Sequence, residues 1–330
     1  MKAIPAISVC VPTYRRPVLL ERCLRSILAQ TFGDFEVVVA DNASPDGTAD
    51  VVSGFSDPRI RYHRNETNIG PFPNMNKAIA LANADLICVA HDDDQYLPEF
   101  LTQQVELLRS NPSVGMSHSA VYEVDGAGKR RRIVRAYGTT RVLEGRAEFV
   151  RFLRGHNVCC SSVVARRALY ERAGGFDPRY NAADFALWLR FALLGDVGYI
   201  AEPLVEMRVH QERFTNEVSP SVWHDEFVAI MEDGIRLASE ATPRVELRLQ
   251  EVHRAGAAAQ GRRFLVAAIA ASAHGDLPLA AGYADSVYRL RALGLPWPYA
   301  AAARIAATPL GRALARIALV VRGILYRRLR

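Results

Sequence analysis

Residues Leu86–Asp94 read LICVAHDDD, a short apolar run that stops at three consecutive carboxylates. The run Leu86-Ile87-Cys88-Val89-Ala90 has the length and composition of a buried strand. Asp92, Asp93 and Asp94 resist burial with it unless a partner compensates their charge. In an open α/β sheet, ligands bind beyond the carboxyl ends of the strands, which is where this triplet falls. Oxygen ligands suit a hard divalent cation, Mg2+ or Mn2+, which in turn holds phosphate oxygens. A solvated acidic turn before a helix starting near Leu97 explains the same residues. The surrounding chain decides between the two.

Toward the N-terminus, short apolar runs alternate with helical patterns, as in a parallel α/β sheet. Ile7–Val11 is the first expected strand, Glu36–Ala40 the second and Ile60–His63 a short third. Pro17 to Gln30 carries Leu20, Leu24, Ile27 and Leu28 on one helical stripe, with proline near its start. Further helices are expected from Pro45 to about Phe55 and over Asn74–Ala82. The strands bring Thr13, Asp41 and the triplet to one rim, and polar groups gathered from separate strands make a binding site. Toward the C-terminus follow a helix over Leu97–Arg109, a strand over Val114–Ser119 and a hairpin or loop over Asp125–Arg135. A helix over Glu144–Arg154, a strand over Val158–Ala165 and a helix over Ala183–Leu194 complete the pattern. From Ser221 onward the chain turns to Ala- and Arg-rich helices, so residues 1–218 form one expected domain and 219–330 a helical C-terminal region.

Half of the 330 residues are apolar, enough for a large core. No apolar run reaches membrane-spanning length, and the first residues lack the pattern of a secretory signal. The five cysteines have no metal-ligand spacing, and adjacent Cys159 and Cys160 are too close for an ordinary bridge. A reduced, cytoplasmic chain is the expectation. The net charge of +6 is concentrated late, since arginines but no acids follow Asp285. Leu310, Leu314, Ile317, Val321 and Ile324 repeat at helical spacing among Arg312, Arg316, Arg322 and Arg327. Such a basic amphipathic helix either lies on the anionic inner face of the cell membrane or packs on protein. No aromatic-rich motif accompanies the charge, so nucleic acid is not an expected partner.

Four segments, in order, resemble the family 2 glycosyltransferases, inverting enzymes of the GT-A fold. They are ISVCVPTYRRPVLLERCLRSILAQTFGDFEVVVADNAS from Ile7, NIGPFPNMNKAIALANADLICVAHDDD from Asn68, GGFDPRYNAADFALWLRFALLG from Gly174 and MRVH ending at His210. The resemblance implies a Rossmann-like mixed sheet and transfer of a sugar from a nucleotide-diphosphate donor to a hydroxyl acceptor, with inversion. It implies a divalent metal, Mg2+ or Mn2+, on the DXD-type carboxylates, with Asp94 as ligand, Asp92 second and His210 completing the site. Asp93 and Asp92 also fall in the donor site that it implies. Pro12, Thr13 and Tyr14 match the first nucleotide-contacting loop, Asp41 the acidic residue that recognises base or ribose, and Asn68, Gly70 and Asn76 the NxG…N segment. Arg208 and Arg213 are candidate phosphate partners. Asp184 matches the catalytic aspartate, the base that takes the acceptor's proton, although Ala183 stands where the family usually has Glu. Trp188 reads as core. The setting implied is cell-envelope polysaccharide or glycolipid assembly, with a lipid-linked saccharide as one possible acceptor. Two rivals share these features: a non-catalytic nucleotide-sugar-binding scaffold of the same fold, and a sugar nucleotidyltransferase. The second should carry a Gly-rich phosphate loop, and Pro12-Thr13-Tyr14-Arg15-Arg16 has no glycine.

Overall fold

The computed structural model describes residues 4–155, 157–209 and 218–314. The chain divides into two compact units, Met1–Phe149 with His156–Arg213 and Val150–Gly155 with Phe214–Arg330.

The first unit is built on one mixed sheet, and its N-terminal half is parallel. β1 (Ile7–Thr13) pairs with β2 (Phe35–Asp41) on one side and β4 (Leu86–Val89) on the other, while β3 (Ile60–Arg64) extends β2. Helices α1 (Pro17–Leu28), α2 (Thr48–Ser53) and α3 (Pro71–Leu81) connect these strands. Every residue of β1 and β2 is buried, as parallel strands covered on both faces must be. Leu20, Leu24 and Ile27 bury the apolar stripe of α1. Pro17 opens that helix, where a missing N–H costs nothing.

Beyond β4 the directions mix. β9 (Val163–Arg166) lies antiparallel between β4 and β6 (Val114–Val124), and β10 (Asp196–Arg208) runs parallel to β6. Register shifts interrupt the β6–β10 pairing between Asp196 and Val197 and on either side of Pro203. Short strands β5 (Gln95–Tyr96) and β8 (Arg141–Leu143) pair with β10, and β7 (Arg130–Val134) pairs with β6. Asp125–Arg135 is therefore mostly a hairpin, with Asp125 Oδ1 accepting from the Ala127 and Lys129 amides across its turn. The expected strand over Val158–Ala165 begins instead as a 3-10 turn, Cys160–Ser162. Both the amide and the hydroxyl of Ser162 donate to the Cys159 carbonyl (3.0 and 2.8 Å), a local bond that competes with a strand ladder. The unit also holds α4 (Phe100–Ser110), α6 (Arg167–Ala173) and α7 (Ala183–Leu194), and α5 (Gly145–Leu153) begins in it. Trp188 of α7 is fully buried and belongs to the core.

The second unit stacks α8 (Pro220–Glu240), α9 (Leu249–His274), α10 (Leu277–Arg289) and α11 (Trp297–Ala306). Ser219 and Asp276 cap α8 and α10 by accepting from the Val222 and Leu279 amides. Alanines 257, 268, 280, 284, 300 and 303 fill the interior. Val150–Gly155, which periodicity alone joins to the first unit, belongs here. A Cβ at Gly256 would sit 3.0 Å from the Leu153 carbonyl, so glycine is what lets α9 approach this segment. Among the described residues no helix is long and apolar enough to cross a membrane. The C-terminal stripe from Leu310 lies outside the described residues beyond Leu314.

One buried charge braces the parallel half. Glu36 accepts from the Ser8 hydroxyl (2.6 Å), the Asn83 amide and side chain (2.6 and 2.8 Å) and Arg61 Nη1 (2.7 Å). Burial alone would raise its carboxyl, but the bonds from Ser8, Asn83 and Arg61 outweigh it and hold the group below its ordinary 4.5. A depressed carboxyl stabilises the fold above that ordinary value and loses its contribution as pH falls through the folded-state value. Glu36→Gln should therefore cost about 3 kcal/mol at neutral pH. In urea unfolding, its deficit against the unmodified protein should shrink as pH falls below 4.5.

Candidate active site

The carboxyl ends of β1, β2 and β4 open on one rim, and the triplet lies just past β4. The Asp94 amide donates to the His91 carbonyl (3.2 Å), so residues 91–94 form a turn. Side chains in a turn do not alternate as in a strand, and Asp92 and Asp94 diverge. Asp92 accepts from the Thr13 hydroxyl (2.7 Å) and from Arg16 Nη1 (3.3 Å), which also reaches Asp93 (3.1 Å). Asp94 accepts from the Ser161 hydroxyl (2.5 Å) and the Arg208 amide (2.8 Å). Ligand atoms of His91, Asp93 and Asp94 lie within 4.8 Å of one another, a group that contains Asp94 of the expected Asp92–Asp94 pair but not Asp92. His210 and Arg213 lie outside the described residues.

Burial pushes the carboxyls of Asp92 and Asp94 above their ordinary range, and the charge of Asp93 pushes them further. Arg16 and Thr13 offset some of this at Asp92, and His91, Ser161 and the Arg208 amide at Asp94. The buried Nε2 of His91 has no hydrogen-bond partner. Two carboxylates and an imidazole with a buried, unengaged nitrogen are donors that fit a divalent cation.

Asp184 stands in the first turn of α7, where Ala182 and not Asp184 is the capping residue. Its Oδ1 accepts from the Phe185 amide (2.8 Å) and the residue is half-buried. Burial first, and then the charge of Asp184 with smaller effects from Cys159, Cys88 and Asp94, lifts the Cys160 thiol well above its usual range. The turn Cys160–Ser162 therefore bears on both carboxylates: its serine bonds Asp94, and its buried thiol senses Asp184.

On the β1–β2 side, Thr13 is buried and Tyr14 is partly exposed behind buried Pro12. Asp41 is fully buried; it accepts from the Ser44 amide (2.9 Å) and the Tyr62 hydroxyl (2.6 Å), with Arg64 at 3.6 Å. Burial and the bond to Asp41 lift the Tyr62 phenol, which stays a proton donor. Asn42 Nδ2 donates to Asn68 Oδ1 (2.7 Å) and the Gly70 carbonyl (3.1 Å), fixing the approach to α3. Asn76 donates to the Phe176 carbonyl (2.8 Å) and accepts from its amide (2.9 Å). Asn68 and Asn76, expected at the nucleotide, thus have protein partners, because a side-chain amide matches the edge of a peptide. Arg208, expected at phosphate, spends Nη1 on the Asp125 and Gly126 carbonyls (3.2 and 2.9 Å) of the β6–β7 turn. Arg16, Ser161 and Tyr62 escape sequence reasoning. For Ser161 the available signal is a hydroxyl amid the strand-like apolar stretch from Val158 to Ala165, since a buried polar group needs a partner.

A mixed sheet with a polar rim of this kind, followed by helices, is the GT-A architecture of nucleotide-sugar transferases. TarS of Staphylococcus aureus, residues 1–349 in complex with UDP-GlcNAc, superposes with a TM-score of 0.64 over 95% of this chain and 91% of its own, at 18% identity. The mannosyltransferase PcManGT of Pyrobaculum calidifontis, in complex with GDP-Man and Mn2+, gives 0.54 over 96% and 88% at 22% identity. At these identities the likeness is one of fold. The description Glycosyl transferase family 2 matches residues 8–174, and the chain belongs to that family. The uncharacterized protein MT1568 of Mycobacterium tuberculosis is 35% identical over 213 residues, 61% of this chain and 66% of that protein. The GalNAc(5)-diNAcBac-PP-undecaprenol beta-1,3-glucosyltransferase of Campylobacter jejuni is 36% identical over 118 residues, 35% of this chain and 37% of its own. The matched stretch thus spans under two thirds of each of these relatives.

The Asn76–Phe176 pairing also explains a glycine. Gly175 has φ 72°, and a Cβ there would lie 2.5 Å from Asn76 Oδ1. Gly175→Ala and Asn76→Ala should each cost about 1–3 kcal/mol in denaturant unfolding. The double variant should cost less than their sum, because both break one contact.

Proposed function

We propose that the chain is an inverting, metal-dependent glycosyltransferase that moves a sugar from a nucleotide-diphosphate donor to an acceptor hydroxyl. The supporting observation is the His91–Asp93–Asp94 group just past β4, with Asp94 held by Ser161 and the Arg208 amide. His91, Asp93 and Asp94 are the residues that would hold the cation. When bound, it supplies Lewis-acid stabilisation of the negative charge left on the diphosphate.

The remaining work falls to the chain's own groups. Asp184 accepts the acceptor hydroxyl's proton as that oxygen attacks the anomeric carbon and the bond to the diphosphate breaks on the opposite face. The start of α7 favours the ionised carboxylate that a base requires. Thr13 holds Asp92, and Arg16 bridges it to Asp93. Tyr14, with its ring partly open to solvent, flanks the nucleotide, and Asp41 acts on the base or ribose through the Tyr62 hydroxyl that it holds. The Campylobacter relative is named for a saccharide on PP-undecaprenol, which supports a lipid-linked saccharide as acceptor and a place in polysaccharide or glycolipid assembly. A cytoplasmic chain working at the inner membrane face suits that acceptor. The helical C-terminal region and its basic end are the candidates for membrane contact.

Calorimetry with a panel of nucleoside diphosphates and nucleotide-sugars, with Mn2+ and then chelator, tests the reading. Metal-dependent binding of one nucleotide class is expected; a folded protein that binds none overturns the transferase reading. Asp184→Asn should lower turnover by about 10²–10⁴ and leave donor affinity within about twofold, as read by rate and calorimetry. Asp94→Ala should abolish the difference between metal and chelator in donor binding. Equal donor affinity in both conditions for the unmodified protein removes the metal from the proposal.

A further inference from the structure

Resting on that reading, we infer that His91 is itself a ligand of the cation and biases the site toward Mn2+ over Mg2+. Its ligand atom lies within 4.8 Å of those of Asp93 and Asp94. Atoms that share one ion lie at most about 4.2 Å apart for bonds of about 2.1 Å, so these side chains would close slightly on a cation. The imidazole Nε2 is buried with no hydrogen-bond partner. A buried polar atom left unpaired forfeits free energy, and a bound ion would recover it.

The backbone holds the ring's origin in place. The His91 amide donates to Ser161 Oγ (3.3 Å), and its carbonyl accepts from the Asp94 amide (3.2 Å) and the Cys23 thiol (3.5 Å). The same Ser161 hydroxyl donates to Asp94 (2.5 Å). One hydroxyl therefore fixes both the main chain that carries the imidazole and the carboxylate beside it. Arg16 bridges Asp92 (3.3 Å) and Asp93 (3.1 Å), so a bound cation would share Asp93 with it. The donor set is two carboxylates and one imidazole. Mg2+ prefers oxygen and keeps its water, whereas imidazole suits the transition ions. A nitrogen ligand thus sorts metals in a way that an all-carboxylate site does not.

The test titrates Mn2+ into the full-length chain by electron paramagnetic resonance, with Mg2+ as competitor. His91→Gln should lower Mn2+ affinity about tenfold and change Mg2+ affinity less than about twofold, so the Mn2+:Mg2+ ratio falls. An unchanged ratio overturns the assignment. A second measurement leaves His91 intact: the spin echo of Mn2+ bound to His210→Gln should carry imidazole nitrogen modulation. Its absence with Mn2+ bound overturns the assignment as well. If the unmodified chain binds no Mn2+, the metal-dependent reading falls together with this one. If Mn2+ binds and either result is negative, only His91 loses its role.

Discussion

Carboxylates taken out of water at the end of a strand must be met by donors, and the first unit gathers those donors from distant regions of the chain. Thr13 and Arg16 come from the end of β1 and the residues before α1, Ser161 from the turn before β9 and the Arg208 amide from the end of β10. A hydrogen bond to a charged group contributes about 1.5–3 kcal/mol. These bonds therefore decide which way each carboxylate faces. The buried turn also explains why neighbours in sequence take different tasks. Thr13 holds Asp92, Ser161 and the Arg208 amide hold Asp94, and Arg16 bridges Asp92 and Asp93.

A second polar network has the same role beside the neighbouring strand. Asn42 sits just beyond β2 and accepts from Asn65 (3.1 Å) and the Ile69 amide (2.9 Å) while donating to Asn68 and Gly70. Asn65 also donates to Asn74 (2.9 Å), which reaches back to the Ala40 carbonyl (2.8 Å). Fully satisfied buried networks rigidify and specify a local structure. Here the result is a fixed path from the rim of the sheet into α3.

How much of this is legible in the sequence depends on the range over which each signal acts. β1 to β4, α1 and α7 follow from periodicity and punctuation within a dozen residues, and their positions agree closely with the expected ones. The rim carrying Thr13, Asp41 and the triplet follows from strand direction. The antiparallel insertion of β9 is not legible, because no local pattern states a strand's direction. The division of Asp92 from Asp94 is hidden for a related reason: an acidic turn after the strand is legible, but the distant donors that each carboxylate meets are not. Ser161 is out of reach because its partner lies 67 residues away. Asn76 shows how a motif match singles out a residue and leaves its partner open: both of its polar ends meet Phe176.

The irregular pairing of β10 reaches further than the sheet. Its register against β6 shifts three times before the strand delivers the Arg208 amide to Asp94. Moving a strand by one residue turns every side chain to the opposite face. A single-residue insertion or deletion between Asp196 and Arg208 would therefore withdraw a donor from a carboxylate more than a hundred positions earlier. Among chains descended from a common ancestor with this one, gaps should be purged from β10 even where individual side chains drift freely.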